Sequence, residues 1–190
     1  MKIMEDVSYW NGVFSEEESR MHFQHLSTLP SLAQGSFHLF GKPVKTPRLE
    51  SFHGISPIPY RYSGQTLQSM PFTAPMHDIL ARITELTGRT FNAVLINVYR
   101  NGMDSNGWHA DNEKELGKNP IIASVSFGAE RKFQLKSRDG AIKKTIPLEN
   151  GSLLLMGGSI QQDFIHCIPK EPKVELPRIN LTFRTVFEVR

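Results

Sequence analysis

Two stretches of the chain carry residue types that could together hold a metal and an acid. The first runs from Asn97 to Asp111, NVYRNGMDSNGWHAD, and ends in His109-Ala-Asp111. On an extended strand alternate side chains share a face, so this imidazole and this carboxylate are expected to point the same way. A further imidazole stands at His166. Two histidines and one carboxylate on one side of a cation leave its opposite side open, a geometry suited to non-haem Fe(II) and O2. The HxD pair does not decide the matter alone. In a chain with seven histidines, a surface-loop HxD and an unrelated core histidine would read the same.

The second stretch is Arg178-Ile-Asn-Leu-Thr-Phe-Arg184. Read as a strand, it puts Arg178, Asn180, Thr182 and Arg184 on one face and Ile179, Leu181 and Phe183 on the other. If the apolar face packs on helices, both guanidiniums look inward. Burying unpaired cations costs several kcal/mol each, so an inward arginine pair needs anions. Asp111 is already claimed by the metal, whereas a small dicarboxylate would serve, and Arg suits bidentate carboxylate binding. Asn97 and Tyr99 share a face opposite Val94, Ile96 and Val98 and complete a cradle for the same carboxylates. A metal triad beside a carboxylate cradle describes an oxygenase that uses 2-oxoglutarate. A zinc hydrolase also uses two histidines and a carboxylate, but has no use for the arginine pair.

Taken together, Asn97-x-Tyr99, His109-x-Asp111, the single His166 and Arg178-x-Asn180-x-Thr182-Phe183-Arg184 resemble the AlkB family of Fe(II)- and 2-oxoglutarate-dependent dioxygenases. Pro120-Ile-Ile-Ala-Ser-Val-Ser-Phe-Gly128 and Gly151-Ser-Leu-Leu-Leu-Met156 are similar to the family's segments after the HxD and before the distal histidine. The resemblance runs from about 39 to 187. It implies that Fe(II) is held by His109, Asp111 and His166. It implies that 2-oxoglutarate is held by Asn97, Tyr99, Arg178, Asn180 and Arg184, with Arg184 at the keto-acid end and Arg178 at the distal carboxylate. The implied activity is direct reversal of DNA alkylation. The N-methyl group of 1-methyladenine or 3-methylcytosine is oxidised, giving succinate, CO2 and formaldehyde. The alternatives are a 2-oxoglutarate oxygenase acting on methylated RNA or protein, and a non-catalytic binding module on the same fold.

Substrate contacts are placed by the same resemblance. Leu39-Phe40-Gly41-Lys42 is similar to the turn that duplex-repair homologues insert into the helix, so Phe40 is a candidate wedge. Lys42 and Arg48 are candidate DNA contacts. Tyr60 and Tyr62 fall in the lid over the flipped base, Tyr62 stacking on it and Tyr60 lining the pocket. Glu113 stands where the family's nucleic-acid demethylases carry an acid, here Glu rather than the Asp of the bacterial prototype, and would accept from an exocyclic amine. From the residues alone the tyrosines and Phe40 are equally ordinary packing residues, and Glu113 a solvated charge. The basic hairpin Lys136, Arg138, Lys143 and Lys144 fits phosphates or a strand edge protected from aggregation.

The elements that must position these residues form an α+β, mainly β, chain. Ser15-Glu-Glu-Glu18 reads as a capping box opening a helix over 15–28, with Met21, Phe23 and Leu26 inward. Residues 1–14 read as an extended edge, and 36–62 as irregular with extended pieces. Thr73 is expected to cap a helix over 74–87, whose Met76, Ile79, Leu80, Ile83 and Leu86 fall at helical spacing and which Gly88 closes. Strands are expected at 92–100, 120–127, 131–136, 142–148, 152–156, 163–168 and 178–187, with turns at Asn101-Gly102, Asp139-Gly140 and Asn150-Gly151. Two facing antiparallel sheets make a double-stranded β-helix, a jelly roll, with two buttressing helices. One dioxygenase domain over 1–190 is expected, with 1–90 supplying the N-terminal extension, helices and nucleotide-recognition lid and 91–190 the β-helix core.

Composition bounds the setting. The 190 residues suffice for one sizeable core, and 39% hydrophobic with 22% charged is ordinary for a soluble globular chain. The single cysteine, Cys167, excludes an internal disulfide, fits a reducing cytoplasmic (or nuclear) setting and reads as a packed small hydrophobe. The N-terminus has no long apolar run, so no signal peptide is expected, and no stretch approaches a membrane span. A net charge of +3 permits a nucleic-acid partner without requiring one. DNA, single- or double-stranded, is the expected partner of a monomer, with RNA as the alternative.

Overall fold

The computed structural model describes residues 1–39, 42–62 and 65–187, with the backbone alone for 37–39, 59–62 and 65–67. The chain opens with β1 (Lys2–Met4) and β2 (Val7–Trp10), followed by α1 (Glu16–Ser27). Both halves of the capping box form: Ser15 Oγ accepts from Glu18 N at 3.2 Å, and Glu18 Oε2 accepts from Ser15 N at 2.7 Å. Then come β3 (Ser36–Leu39), β4 (Lys42–Lys45), β5 (Leu49–Gly54), β6 (Pro59–Tyr62), β7 (Gln65–Gln68) and β8 (Met70–Pro71). Helix α2 (Ala74–Thr87) ends on Gly88 at φ 65°, a left-handed conformation that costs glycine little. Thr73 does sit at its N-cap, but its hydroxyl bonds His25 Nε2 at 3.1 Å and not the helix, so it joins the two helices instead of capping one.

The second half continues with β9 (Ala93–Tyr99), β10 (Asn106–His109), a 3-10 turn over Lys114–Leu116, β11 (Ile122–Gly128), β12 (Arg131–Ser137), β13 (Lys143–Leu148) and β14 (Ser152–Met156). A short α3 (Ile160–Asp163) leads into β15 (Phe164–Ile168), and β16 (Arg178–Arg184) closes the described fold. Eight strands form one sheet in the order β1-β2-β14-β11-β16-β9-β5-β8, and four form the other, β10-β15-β12-β13. Two hairpins, β3–β4 and β6–β7, stand apart from both. The expected jelly roll is therefore present, although 1–90 is no mere extension. It gives β1, β2, β5 and β8 to the large sheet, and β5, placed by the sequence in an irregular stretch, pairs with β9 along its whole length.

Two apolar layers follow from the strand alternation. Leu95 and Tyr99 of β9 and Leu154 and Met156 of β14 pack against Phe133, Leu135, Ile146, Leu148, Phe164 and Ile168 of the small sheet, filling the space between the sheets. Val94, Ile96, Val98, Ile179, Leu181 and Phe183 face outward from the large sheet onto Leu26 of α1 and Met76, Ile79 and Ile83 of α2. The buttressing stripes are narrower than their spacing suggested: Met21 is 52% and Leu86 41% exposed. Cys167 is buried, as expected of a packed thiol. His53 of β5 lies in the interior, its Nδ1 donating to Pro71 O at 2.8 Å and its Nε2 facing Ser51 Oγ at 2.8 Å, and burial lowers its pKa. Among the described residues no helix is long and apolar enough to cross a membrane.

Candidate metal centre and carboxylate slot

Strand register brings the ligands together. His109 of β10 and His166 of β15 are cross-strand neighbours, with ring centroids 4.3 Å apart. Asp111 lies past the end of β10, so it is not on the same strand face as His109 in the sense expected, yet its carboxylate still reaches the pair. Its Oδ2 is 3.6 Å from His166 Nε2. One ligand atom from each of His109, Asp111 and His166 lies within 4.8 Å of the others. Ligand atoms about 2.1 Å from one cation on one face lie about 3 Å apart, so the three side chains would draw together around a bound ion.

The donor set fits such a cation. A backbone carbonyl only accepts, so the 2.7 Å contact between His109 Nδ1 and Gly107 O puts the proton on Nδ1 and the lone pair on Nε2. Burial pushes the His166 pKa down to about 3, with His109 adding to the effect, so the ring is neutral. Its Nδ1 is buried without a hydrogen-bond partner among the described residues. Burial alone would raise the Asp111 pKa, but Arg184 and the two imidazoles outweigh it and hold the carboxyl ionised. Phe133 stacks on His166 at 5.1 Å and supplies an apolar wall.

The polar face of β16 looks inward as its alternation predicts. Arg178 is 0% and Arg184 1% exposed. Pairing of β16 with β9 sets Asn180 opposite Asn97 and Arg178 opposite Tyr99, and pairing with β11 sets Asn180 opposite Ser126. Asn97, Tyr99, Asn180 and Arg184 line one cavity with the three metal-ligand candidates. Arg178 lies behind that wall. Its Nη2 donates to Ser126 Oγ at 2.9 Å and to Asn180 Oδ1 at 2.6 Å, while Nε and Nη1 have no hydrogen-bond partner among the described residues. Burial lowers its pKa to about 10, partly countered by the neighbouring Tyr99. A buried guanidinium with unmet donors is what a carboxylate-binding slot requires.

Arg48 is not a surface DNA contact. It is 4% exposed, ion-paired with Glu50 at 2.6 Å, and its Nε donates to Asn97 Oδ1 at 2.8 Å. Replacing Arg48 with Met is expected to cost about 3 kcal/mol of stability, since Glu50 is left half-paired. It should weaken 2-oxoglutarate binding while leaving the salt slope of DNA affinity unchanged. Loss of a phosphate contact would instead reduce that slope by about one; titrations at several salt concentrations separate the two.

The remaining substrate candidates are less gathered. Lys42 is exposed at the start of β4. Phe40 lies outside the described residues. The backbone of Tyr60 and Tyr62 runs in β6, but their side chains lie outside the described set. Glu113 is half-buried at the entry of the 3-10 turn just after Asp111. Several residues around the site escaped the sequence reading. Ser124 and Ser126 alternate with Ala123, Val125 and Phe127 and could have been taken for the inner face. Arg131 shares a face with Phe133 and Leu135; it is 1% exposed and donates to the carbonyls of Asn101, Asp104 and Pro169 at 2.6–3.2 Å. Gln161, on the unexpected α3, left no periodic signal.

A double-stranded β-helix carrying two histidines and a carboxylate beside buried guanidiniums defines the class of oxygenases that pair Fe(II) with a keto acid. The chain belongs to the 2OG-Fe(II) oxygenase superfamily, whose family model matches residues 6–184. It is 44% identical over 151 residues to the human alpha-ketoglutarate-dependent dioxygenase alkB homolog 3, covering 74% of this chain and 52% of that protein. It is 36% identical over 192 residues to the human DNA oxidative demethylase ALKBH2, covering 95% of this chain and 73% of that one. The chain thus spans about half the length of the alkB homolog 3 proteins it matches. The solved structure of OsALKBH1 superposes with a TM-score of 0.64 over 97% of this chain and 100% of that one, at 19% identity, a likeness of fold.

Proposed function

We propose that this chain is an Fe(II)- and 2-oxoglutarate-dependent demethylase of N-alkylated bases in DNA, with 1-methyladenine and 3-methylcytosine as substrates. The observation that carries the chemistry is the cavity that the triad shares with Asn97, Tyr99, Asn180 and the buried Arg184. DNA as substrate is supported by the relative called a DNA oxidative demethylase, which this chain covers to 73%.

In this reading His109, Asp111 and His166 hold Fe(II), and Arg178 with Asn97 and Tyr99 holds the distal carboxylate of 2-oxoglutarate. Arg184 steadies the keto-acid end, and Asn180 completes the polar wall. When bound there, iron and the keto acid would supply, with O2, the two-electron oxidation of the N-methyl group, the keto acid being converted to succinate and CO2. The oxidised methyl leaves as formaldehyde and the base is restored. The protein's part is to bind, orient and exclude water. A methylated base carries positive charge, which favours stacking on Tyr62. It cannot pair, so its extrusion from a duplex is less costly. Tyr60 lines the base pocket, Glu113 accepts from the exocyclic amine, and Phe40 and Lys42 contact the strand. The chain acts as a monomer.

Incubation with Fe(II), 2-oxoglutarate and a 3-methylcytosine oligonucleotide in air tests this. Loss of one methyl mass with formaldehyde release is expected. Succinate without base repair would move the substrate to RNA or protein. Neither product from folded, metal-loaded chain would leave a binding module. Phe40→Ala is expected to lower activity on duplex several-fold more than on single strands, and equal loss on both would remove the wedge role.

A further inference from the structure

We propose that Gln161 is a positioning residue for the ligand Asp111, an inference that rests on reading the triad as a metal centre. Asp111 follows the end of β10, so no strand ladder fixes its backbone. Its N–H donates instead to Gln161 Oε1 at 2.9 Å. Gln161 is fully buried on α3, the four-residue helix that runs directly into β15 and His166. Its carboxamide therefore ties the segment bearing one ligand to the segment bearing another.

The donor count supports a positioning role. A buried carboxamide is costly unless its polar atoms are matched. Gln161 Nε2 donates to Met156 Sδ at 3.7 Å, and a thioether is a weak acceptor. The strong bond is the one made by Oε1. Without it the buried N–H of Asp111 loses its acceptor and the peptide can rotate, swinging the carboxylate away from the two imidazoles. Arg184 and His166 reach only the Asp111 carboxylate, at the longer distances of 3.5 and 3.6 Å, and Arg184 lines the cosubstrate cavity as well. Gln161 touches the backbone alone, so it sets direction without competing for the ligand oxygens.

The test uses metal-free protein, Gln161→Leu (similar size, no acceptor) and Gln161→Glu (acceptor kept), titrated with Mn(II) by calorimetry and with Co(II) by visible absorption. Gln161→Leu is expected to weaken Mn(II) binding about tenfold or more, in the range seen when a residue supporting a metal ligand is lost, and to alter the Co(II) spectrum. Gln161→Glu is expected to stay within about threefold of the parent on the same scale. Parent-like Mn(II) affinity and Co(II) spectrum in Gln161→Leu overturn the proposal, as does equal weakening in both variants. Should Gln161→Leu not fold, amide exchange in the unaltered metal-free chain decides. The Asp111 N–H is expected to be protected, and exchange at the rate of an open loop overturns the proposal. An unaltered chain that binds no Mn(II) would instead overturn the metal centre itself.

Discussion

Arg178→Met is expected to yield a chain at least as stable as its parent that has lost its affinity for 2-oxoglutarate. Arg178 is a cation with 0% exposure and no ion pair among the described residues; one nitrogen donates to two neutral oxygens, and the Tyr99 ring lies against it. Two of its donor nitrogens have no hydrogen-bond partner among the described residues. Such a group is retained against its own desolvation cost of several kcal/mol. Methionine fills a similar length with apolar atoms beside Tyr99, whose ring centroid now lies 5.3 Å from the guanidinium carbon. Removal of the cation should raise stability in the absence of cosubstrate by about 1–3 kcal/mol, as when buried ionic groups are replaced by apolar ones. The same change deletes a buried charge partner of the diacid, a loss of about 3 kcal/mol or roughly a hundredfold in affinity. Thermal denaturation shows both effects at once. With Mn(II), the parent should gain about 2.7 kcal/mol at a 2-oxoglutarate concentration a hundred times its Kd. The variant should start higher and gain almost nothing at that concentration. A variant that starts lower and still responds to the diacid would mean that Arg178 is structural.

His166→Ala is expected to abolish turnover and reduce Mn(II) binding to background. The ring is neutral, turns its Nε2 to Asp111 at 3.6 Å and packs edge-on against His109. It also stacks on Phe133, so its truncation should cost about 2 kcal/mol through the cavity left behind. That structural cost must be kept apart from the loss of a ligand. Free imidazole added to the variant should refill the space and restore part of the Mn(II) affinity. Stability lost in His166→Ala with Mn(II) affinity intact would remove it from the ligand set.

The legibility of these features in the sequence followed the strength of local pattern. Arg178 to Arg184 alternates without interruption, and the whole strand, its two faces and the inward guanidiniums could be read from it. The Ser15 and Glu18 capping box was equally local. Asp111 was harder, because alternation places it beside His109 only while the strand lasts, and β10 stops at His109. Arg48 misled for a physical reason. A basic residue in a polar, irregular-looking stretch reads as surface, and only the pairing of Glu50 with Asn97 across β5 and β9 carries it into the interior. β5 itself was hidden because polar Ser51 and His53 are buried along with Phe52, which erases the alternation. Gln161 could not have been found from sequence, since its role depends on a contact with a residue fifty positions earlier.

The central claim is an open metal centre beside a slot for a five-carbon diacid. Anaerobic addition of 2-oxoglutarate to the Fe(II)-loaded chain tests it most directly, through the visible charge-transfer band that forms when a keto acid chelates ferrous iron. The band is expected with the unaltered chain, at far higher 2-oxoglutarate concentration with Arg178→Met, and not at all with His166→Ala. An unaltered chain that binds Fe(II) yet gives no band at saturating diacid would contradict the account.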